Sequence, residues 1–141
     1  MTYFLDFDRT LFDYESFFTY LIRLPACLPL RDRALEVTRF PRGTSLDADE
    51  RRDALYAEID ALYTAGTLSF RDEELRQFIF SDAAVFLRDR GSRSVIVTSG
   101  GVTTAFQNGK VKSSGAADQV VEVLCISRGI AKGGVVRKVL E

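Results

Sequence analysis

The chain has 141 residues, a hydrophobic fraction of 46% and a formal net charge of −1, as is typical of one soluble globular domain. It contains no histidine, which excludes His-dependent nucleophilic catalysis and His-ligated zinc. No apolar run reaches the length of about eighteen residues that a membrane span needs, and the acidic opening is unlike a signal peptide. The two cysteines, Cys27 and Cys125, are isolated, which favours a reducing compartment. We therefore expect a cytoplasmic protein without a membrane partner.

Charge is distributed unevenly along the chain. Residues 1–90 carry 12 basic and 17 acidic side chains, whereas residues 91–141 carry 7 basic and 3 acidic ones, and all four lysines lie in the second range. A basic excess of this size is weak evidence for nucleic-acid binding and suits a small anionic substrate equally well. The aromatic residues fit a core better than a base-stacking platform, so we expect no nucleic-acid partner.

The first part of the chain predicts one strand followed by helices. Residues 2–7, with the sequence TYFLDF, predict a short strand that ends in carboxylates. Apolar positions then recur at helical spacing up to Arg90. We expect a first helix that ends before Pro25, a second over residues 30–40 and a last helical piece over residues 83–90.

Two further helix starts are predicted from capping patterns. Asp47 followed three residues later by Glu50 predicts the N-cap of a helix that continues to Gly66. Ser69 followed by Asp72 predicts the start of another helix.

After residue 90 the pattern changes to strands that alternate with helices, which indicates a parallel α/β sheet. The predicted elements are a strand at 94–98, a helix at 102–114, a strand at 120–126, a loop at 129–134 and a helix at 135–140. The helical segment between the first two strands is too long for a plain crossover. We therefore predict a core formed by residues 1–13 and 91–141, with residues 14–90 inserted as a helical cap.

Two carboxylates, Asp6 and Asp8, lie at i and i+2 at the carboxyl end of the first predicted strand. Folds of the α/β class bind ligands at this edge. Adjacent carboxylates repel unless a cation lies between them or one takes a proton, and hard oxygen ligands suit Mg²⁺. A carboxylate near Mg²⁺ can attack phosphorus while its neighbour protonates the leaving oxygen. The pair thus predicts a Mg²⁺ site with Asp6 and Asp8 as ligands; the alternative is two solvated acids.

Three motifs, in order, resemble those of the haloacid dehalogenase (HAD) superfamily. FLDFDRTLF at 4–12 resembles the first motif, VIVTSG at 95–100 resembles the second, and Lys132-Gly133 ahead of a predicted helix resembles the third. The resemblance covers nearly the whole chain, and the predicted insertion matches the position of that family's helical C1-type cap. It implies a HAD-like, Rossmann-type parallel sheet with an inserted helical cap.

The resemblance also implies roles for individual residues. Asp6 would be the nucleophile that forms an aspartyl-phosphate, and Asp8 would be the general acid and base, with its main-chain carbonyl as a Mg²⁺ ligand. Thr98 or Ser99 would hydrogen-bond the transferring phosphoryl group, with Thr98 preferred, and Lys132 would neutralise negative charge. The substrate-binding positions implied by the same motifs are Phe7, Thr10, Ser99 and Gly100.

Three other basic residues fall near these motifs. Lys110 and Lys112 are alternatives for the cation of the site, although we expect both to be surface residues of a helix. Arg9 occupies a position where many members of the family carry glycine. Its side chain could lie over the site entrance or point to solvent, and we expect it to point to solvent.

The sequence departs from the family at the fourth motif, a strand ending in acids that complete the Mg²⁺ shell. The one acid that follows Lys132 is Glu141. In the family this strand pairs with the first strand, so we expect a sheet that is incomplete at its C-terminal end and a first strand with an open edge. Three explanations stay open: the chain is a fragment, a partner completes the fold, or catalysis has been lost.

Two functions follow as expectations. The first is a Mg²⁺-dependent phosphatase or phosphotransferase that acts on a small phosphorylated metabolite. Dehalogenation fits less well, because a general acid at Asp8 has no evident use in displacing halide. The second is a HAD-like module without catalysis, which pairs along its open sheet edge with a second copy or with a strand of a partner protein.

Overall fold

Three parallel strands form a small open sheet in the computed structural model, which describes residues 1–100 and 103–127. The strands are β1 (Tyr3–Leu5), β2 (Ser94–Ser99) and β3 (Glu122–Ile126), in the order β1-β2-β3. In the register, Phe4 lies opposite Val95 and Val97 lies opposite Leu124. The predicted α/β class with a parallel sheet is therefore confirmed.

Five α-helices are present in the described part of the chain. They are α1 (Tyr14–Leu21), α2 (Arg31–Thr38), α3 (Leu46–Thr64), α4 (Ser81–Arg90) and α5 (Ala105–Ser113). Short 3₁₀ helices occur at Pro25–Leu30, Arg76–Phe78, Gly91–Arg93 and Ala116–Gln119. All five of these α-helices agree with the predicted elements to within a few residues. The predicted loop at 129–134 and helix at 135–140 lie outside the described residues.

The predicted start of α3 at Asp47 is wrong by two residues. The N-cap is Ser45, which has extended backbone angles and whose hydroxyl accepts a hydrogen bond from the Ala48 N–H at 3.0 Å. Asp47 lies instead in the first turn, where a carboxylate is favourable for the helix dipole, and it pairs with Arg51. Serine and aspartate are comparable N-cap residues, so two candidates this close in sequence could not be separated by pattern alone.

The helix predicted to start at Ser69 is also wrong. Residues 72–75 form turns, and only Arg76–Phe78 is helical, as a 3₁₀ helix. Glu73 has a positive φ of 64°, which a right-handed helix does not allow. The Leu75 N–H donates to the carbonyl of Ser113 in α5, at 3.2 Å. A tertiary hydrogen bond thus takes the place of a helical one.

One hydrophobic cluster joins the sheet end to the helices of residues 14–90. The Phe12 ring stacks on Phe7 at 4.8 Å between centroids and contacts Phe17 at 5.2 Å and Phe78 at 5.9 Å. These rings are buried and belong to the main core. Phe7 and Phe12, which follow β1, therefore share one core with Phe17 and Phe78 of the predicted cap. The division of the chain into core and cap at residues 13 and 90 stays a prediction.

Helix α4, at the end of the predicted cap, packs on the sheet. The Phe86 ring contacts Tyr3 of β1 edge-on, with 5.4 Å between centroids. The chain passes from α4 through a 3₁₀ turn directly into β2. In this way α4 acts as the crossover between two parallel strands.

Within residues 1–100 and 103–127, every helix is too short or too polar to cross a bilayer.

Candidate functional site

A tight turn follows β1 and carries both predicted acids. The Phe7 carbonyl accepts hydrogen bonds from the N–H groups of Leu11, at 2.9 Å, and Phe12, at 3.1 Å. Arg9 has a φ of 66°, in the left-handed region that favours glycine.

Asp6 and Asp8 have different surroundings in this turn. Asp6 is exposed, and its Oδ1 accepts a hydrogen bond from the Phe7 N–H at 3.0 Å. Asp8 is only about a quarter exposed, at 26%. The two carboxylates therefore differ in their access to solvent.

Two residues of α5 bind the carboxylate of Asp8. Lys110 places its Nζ 2.8 Å from Asp8 Oδ1, and the Gln107 amide donates a hydrogen bond to Asp8 Oδ2 at 3.1 Å. Gln107 and Lys110 are three residues apart and so lie on one face of the helix. Both carboxylate oxygens therefore face groups supplied by α5.

The expectation that Lys110 is a surface residue is wrong, because its side chain is only 2% exposed. Burial lowers the pKa of its amine, and the carboxylate of Asp8 offsets part of that effect. The Nζ atom also lies within 5.2–6.0 Å of five aromatic ring centroids, and such contacts compensate for lost hydration. These rings are Phe7, Phe12, Tyr14, Phe17 and Phe106. Lys112 is exposed, as expected.

Thr98 at the end of β2 is connected to Asp8 through Gln107. The Gln107 Nε2 donates to Thr98 Oγ1 at 2.7 Å as well as to Asp8. Thr98 and Gln107 are both buried. One hydrogen-bond network thereby joins the carboxyl ends of β1 and β2. The sequence alone did not point to Gln107 as a member of this network. Its one signal in the sequence is the spacing of three residues from Lys110.

The remaining sequence-predicted positions have distinct environments. The side chain of Phe7 is buried against Phe12, so only its main chain could approach a ligand. Thr10 is exposed, and its N–H donates to the Phe7 carbonyl at 3.2 Å. The Gly100 N–H donates to the carbonyl of Ile126 in β3 at 2.8 Å. Lys132 lies outside the described residues.

A cavity of about 1180 Å³ opens beside this network. Its lining includes Asp8, Ser99, Gly100, Gln107 and Lys110, together with side chains from α1, α2 and α3. This volume slightly exceeds the usual range of small-molecule sites, about 300–1,000 Å³. Ser99 lines the cavity, whereas Thr98 does not and is hydrogen-bonded to Gln107. Which of the two would bind a phosphoryl group stays open.

Arg9 lies both in solvent and at the entrance of the site. Its side chain is exposed, but it also lines the cavity, where it pairs with Glu15 at 2.6 Å and lies over the Tyr14 ring at 4.7 Å. Arg9 therefore belongs to the cavity rim rather than to open solvent alone.

Helix α3 is bound closely to α5 on one side of the cavity. The buried Asp60 carboxylate accepts hydrogen bonds from the Thr103 N–H at 2.9 Å and from its hydroxyl at 2.7 Å. Next to this link, a Cβ on Gly109 would lie 1.9 Å from the Tyr63 hydroxyl oxygen. The absence of a side chain at Gly109 therefore allows the close approach of the two helices. Sequence patterns indicated neither contact.

The donors available for Mg²⁺ are few. Within residues 1–100 and 103–127, no three acidic, cysteine or histidine side chains form a group that could hold a metal ion. Mg²⁺ nevertheless often uses one or two carboxylates and completes its shell with water and substrate phosphate. The Mg²⁺ site at Asp6 and Asp8 therefore stays a prediction.

Comparison of the chain with protein-family models, with curated proteins and with solved structures finds no match.

Proposed function

We propose that the protein is a Mg²⁺-dependent phosphatase or phosphotransferase of the HAD type, acting on a small phosphorylated metabolite. The observation that carries the proposal is the Asp8–Gln107–Thr98 network, with Lys110, at the carboxyl ends of two parallel strands. Ligands of α/β sheets bind at this edge. The cavity beside the network has room for a metabolite larger than a phosphate ion.

Asp6 is the proposed nucleophile, on the resemblance of its motif and because its side chain is exposed beside Asp8. It is not itself one of the residues that line the cavity. Its carboxylate oxygen bonds to phosphorus while the bond from phosphorus to the leaving oxygen breaks, and Asp8 gives a proton to that oxygen. In the second step Asp8 takes a proton from water, whose oxygen bonds to phosphorus as the bond to Asp6 breaks. For a phosphotransferase, an acceptor hydroxyl takes the place of water.

Positive charge at the site has two candidate sources among the lysines. Lys110 is buried beside Asp8 and supports the proposal directly, because phosphoryl transfer needs cations near the developing negative charge. Lys132 stays a candidate on the resemblance of its motif. When bound, Mg²⁺ would neutralise phosphate charge and orient the phosphoryl group.

A chromogenic assay tests this proposal. The full chain should hydrolyse p-nitrophenyl phosphate with Mg²⁺ and lose that activity with EDTA or with Asp6→Asn. The matched control is Asp72→Asn, an exposed acid in the turn before the 3₁₀ helix Arg76–Phe78. Activity that survives both EDTA and Asp6→Asn would overturn the proposal.

A second candidate function is binding through the edge of the sheet. Strand β1 pairs with β2 on one side, and within residues 1–100 and 103–127 no strand pairs with its other side. Such an edge can accept a strand of a second copy or of a partner protein. Light scattering coupled to size exclusion tests the homodimer: a monomer at all concentrations argues against self-pairing.

A further inference from the structure

Two arginines on the cavity wall differ from its other basic residues in their charge environment. Arg23 follows α1 and Arg31 begins α2, and both are exposed and line the cavity. Within residues 1–100 and 103–127, neither forms an ion pair with an acidic side chain, in contrast to the other basic residues of the lining. Those pairs are Arg9 with Glu15, Arg42 with Asp53, Arg52 with Asp49 and Lys110 with Asp8.

The charge of the lining as a whole is also positive, with six basic side chains and four acidic ones. One of the four acids, Asp60, is occupied by two hydrogen bonds from Thr103. The carboxylate of Asp8 is occupied by Lys110 and Gln107. An anion in this cavity would therefore meet cations whose charge is not already neutralised.

We infer that the substrate carries a second anionic group, a carboxylate or a second phosphate, and that Arg23 and Arg31 bind it. A guanidinium presents paired donors that match the oxygens of either group. Arg23 follows α1 and Arg31 is the first residue of α2, whereas Asp8 comes from the turn after β1. The cavity therefore has separate elements for two ends of a ligand. The cavity volume of about 1180 Å³ leaves room for both ends. This inference rests on the proposed function for the phosphoryl end alone.

Calorimetry with two matched ligands tests the inference. 3-Phosphoglycerate and glycerol 3-phosphate share a phosphate and differ in a carboxylate against a hydroxymethyl group. They are titrated with Mg²⁺ into the full chain carrying Asp6→Asn, so that neither is turned over. We expect 3-phosphoglycerate to bind about tenfold more tightly. Combining Arg23→Gln with Arg31→Gln should abolish that preference, while affinity for glycerol 3-phosphate changes little.

Arg39→Gln is the matched control, because Arg39 is exposed at the end of α2 and does not line the cavity. It should keep the preference. Equal binding of the two ligands, or a preference that survives Arg23→Gln with Arg31→Gln, overturns the inference and leaves the proposed function standing. If neither ligand binds, the inference fails, and the p-nitrophenyl phosphate assay alone decides on the proposed function.

Discussion

Lys110 reaches from α5 to the turn after β1 and places its Nζ 2.8 Å from Oδ1 of Asp8, with its side chain almost completely buried. The contact joins two parts of the chain that are about a hundred residues apart. Removing one member of a buried ion pair leaves the other charge without compensation, which costs more than the pair contributes. The pair is therefore a test of the site's architecture that does not depend on any activity.

Lys110→Met should lower the free energy of unfolding by about 2–3 kcal/mol, somewhat less than for fully buried pairs, because Asp8 is partly exposed. Combining Lys110→Met with Asp8→Asn should recover part of this loss, since no unpaired charge then remains. Urea unfolding of the two single variants and the double variant measures the coupling. Losses that simply add would mean that the two residues do not interact.

Gln107→Ala should lower the free energy of unfolding by about 1–3 kcal/mol, because the buried Thr98 hydroxyl and Asp8 Oδ2 each lose the amide as a partner. Under the proposed function it should also reduce phosphatase activity. Asn108→Ala, at the exposed neighbouring position of α5, is the control and should change neither quantity appreciably. Equal effects of the two substitutions in urea unfolding would contradict the bridging role of Gln107.

Gly109→Ala should destabilise the protein, although the same change in an exposed helix interior normally stabilises it by about 1 kcal/mol. The added Cβ would lie 1.9 Å from the Tyr63 hydroxyl oxygen, so α3 and α5 must separate or the ring must move. We expect a loss of about 1–3 kcal/mol, measured by urea unfolding. Unchanged or increased stability would show that the helices are not so closely packed.

The sequence was sufficient for those features that depend on local pattern. The strand periodicity located β1, β2 and β3, and it placed Asp8 and Thr98 at strand ends on the same edge. It could not give the burial of Lys110, because four of the five rings around its amine come from residues 7–17, far away in the sequence. The same limit applies to residues 69–78, where a hydrogen bond from Leu75 to Ser113 replaces helix formation.

Tyr20→Phe should reduce stability by about 1–2 kcal/mol near pH 7. Burial alone would raise the pKa of the Glu74 carboxyl, but hydrogen bonds from the Tyr20 hydroxyl, at 2.6 Å, and the Arg71 N–H, at 3.0 Å, outweigh it and lower that pKa. A carboxyl with a lowered folded-state pKa stabilises the protein above its ordinary pKa of about 4.3. That stability is lost as the pH falls through the lowered value.

The difference in unfolding free energy between the wild type and Tyr20→Phe should therefore shrink in acid. Tyr63→Phe is the control, since within the described part of the chain the Tyr63 hydroxyl has no acidic partner, and its effect should not depend on pH in this range. Urea unfolding at a series of pH values measures both. A difference that grows towards low pH would contradict this account of Glu74.

Mass spectrometry of the protein quenched during turnover of p-nitrophenyl phosphate with Mg²⁺ tests the central claim most directly. A phosphoryl group should be found on Asp6, and Asp6→Asn should abolish it. Asp8→Asn should increase its amount, because p-nitrophenolate leaves without a proton donor whereas hydrolysis of the intermediate still needs Asp8 as base. If Asp6 carries no phosphoryl group in the wild type or in Asp8→Asn, the proposed chemistry is contradicted.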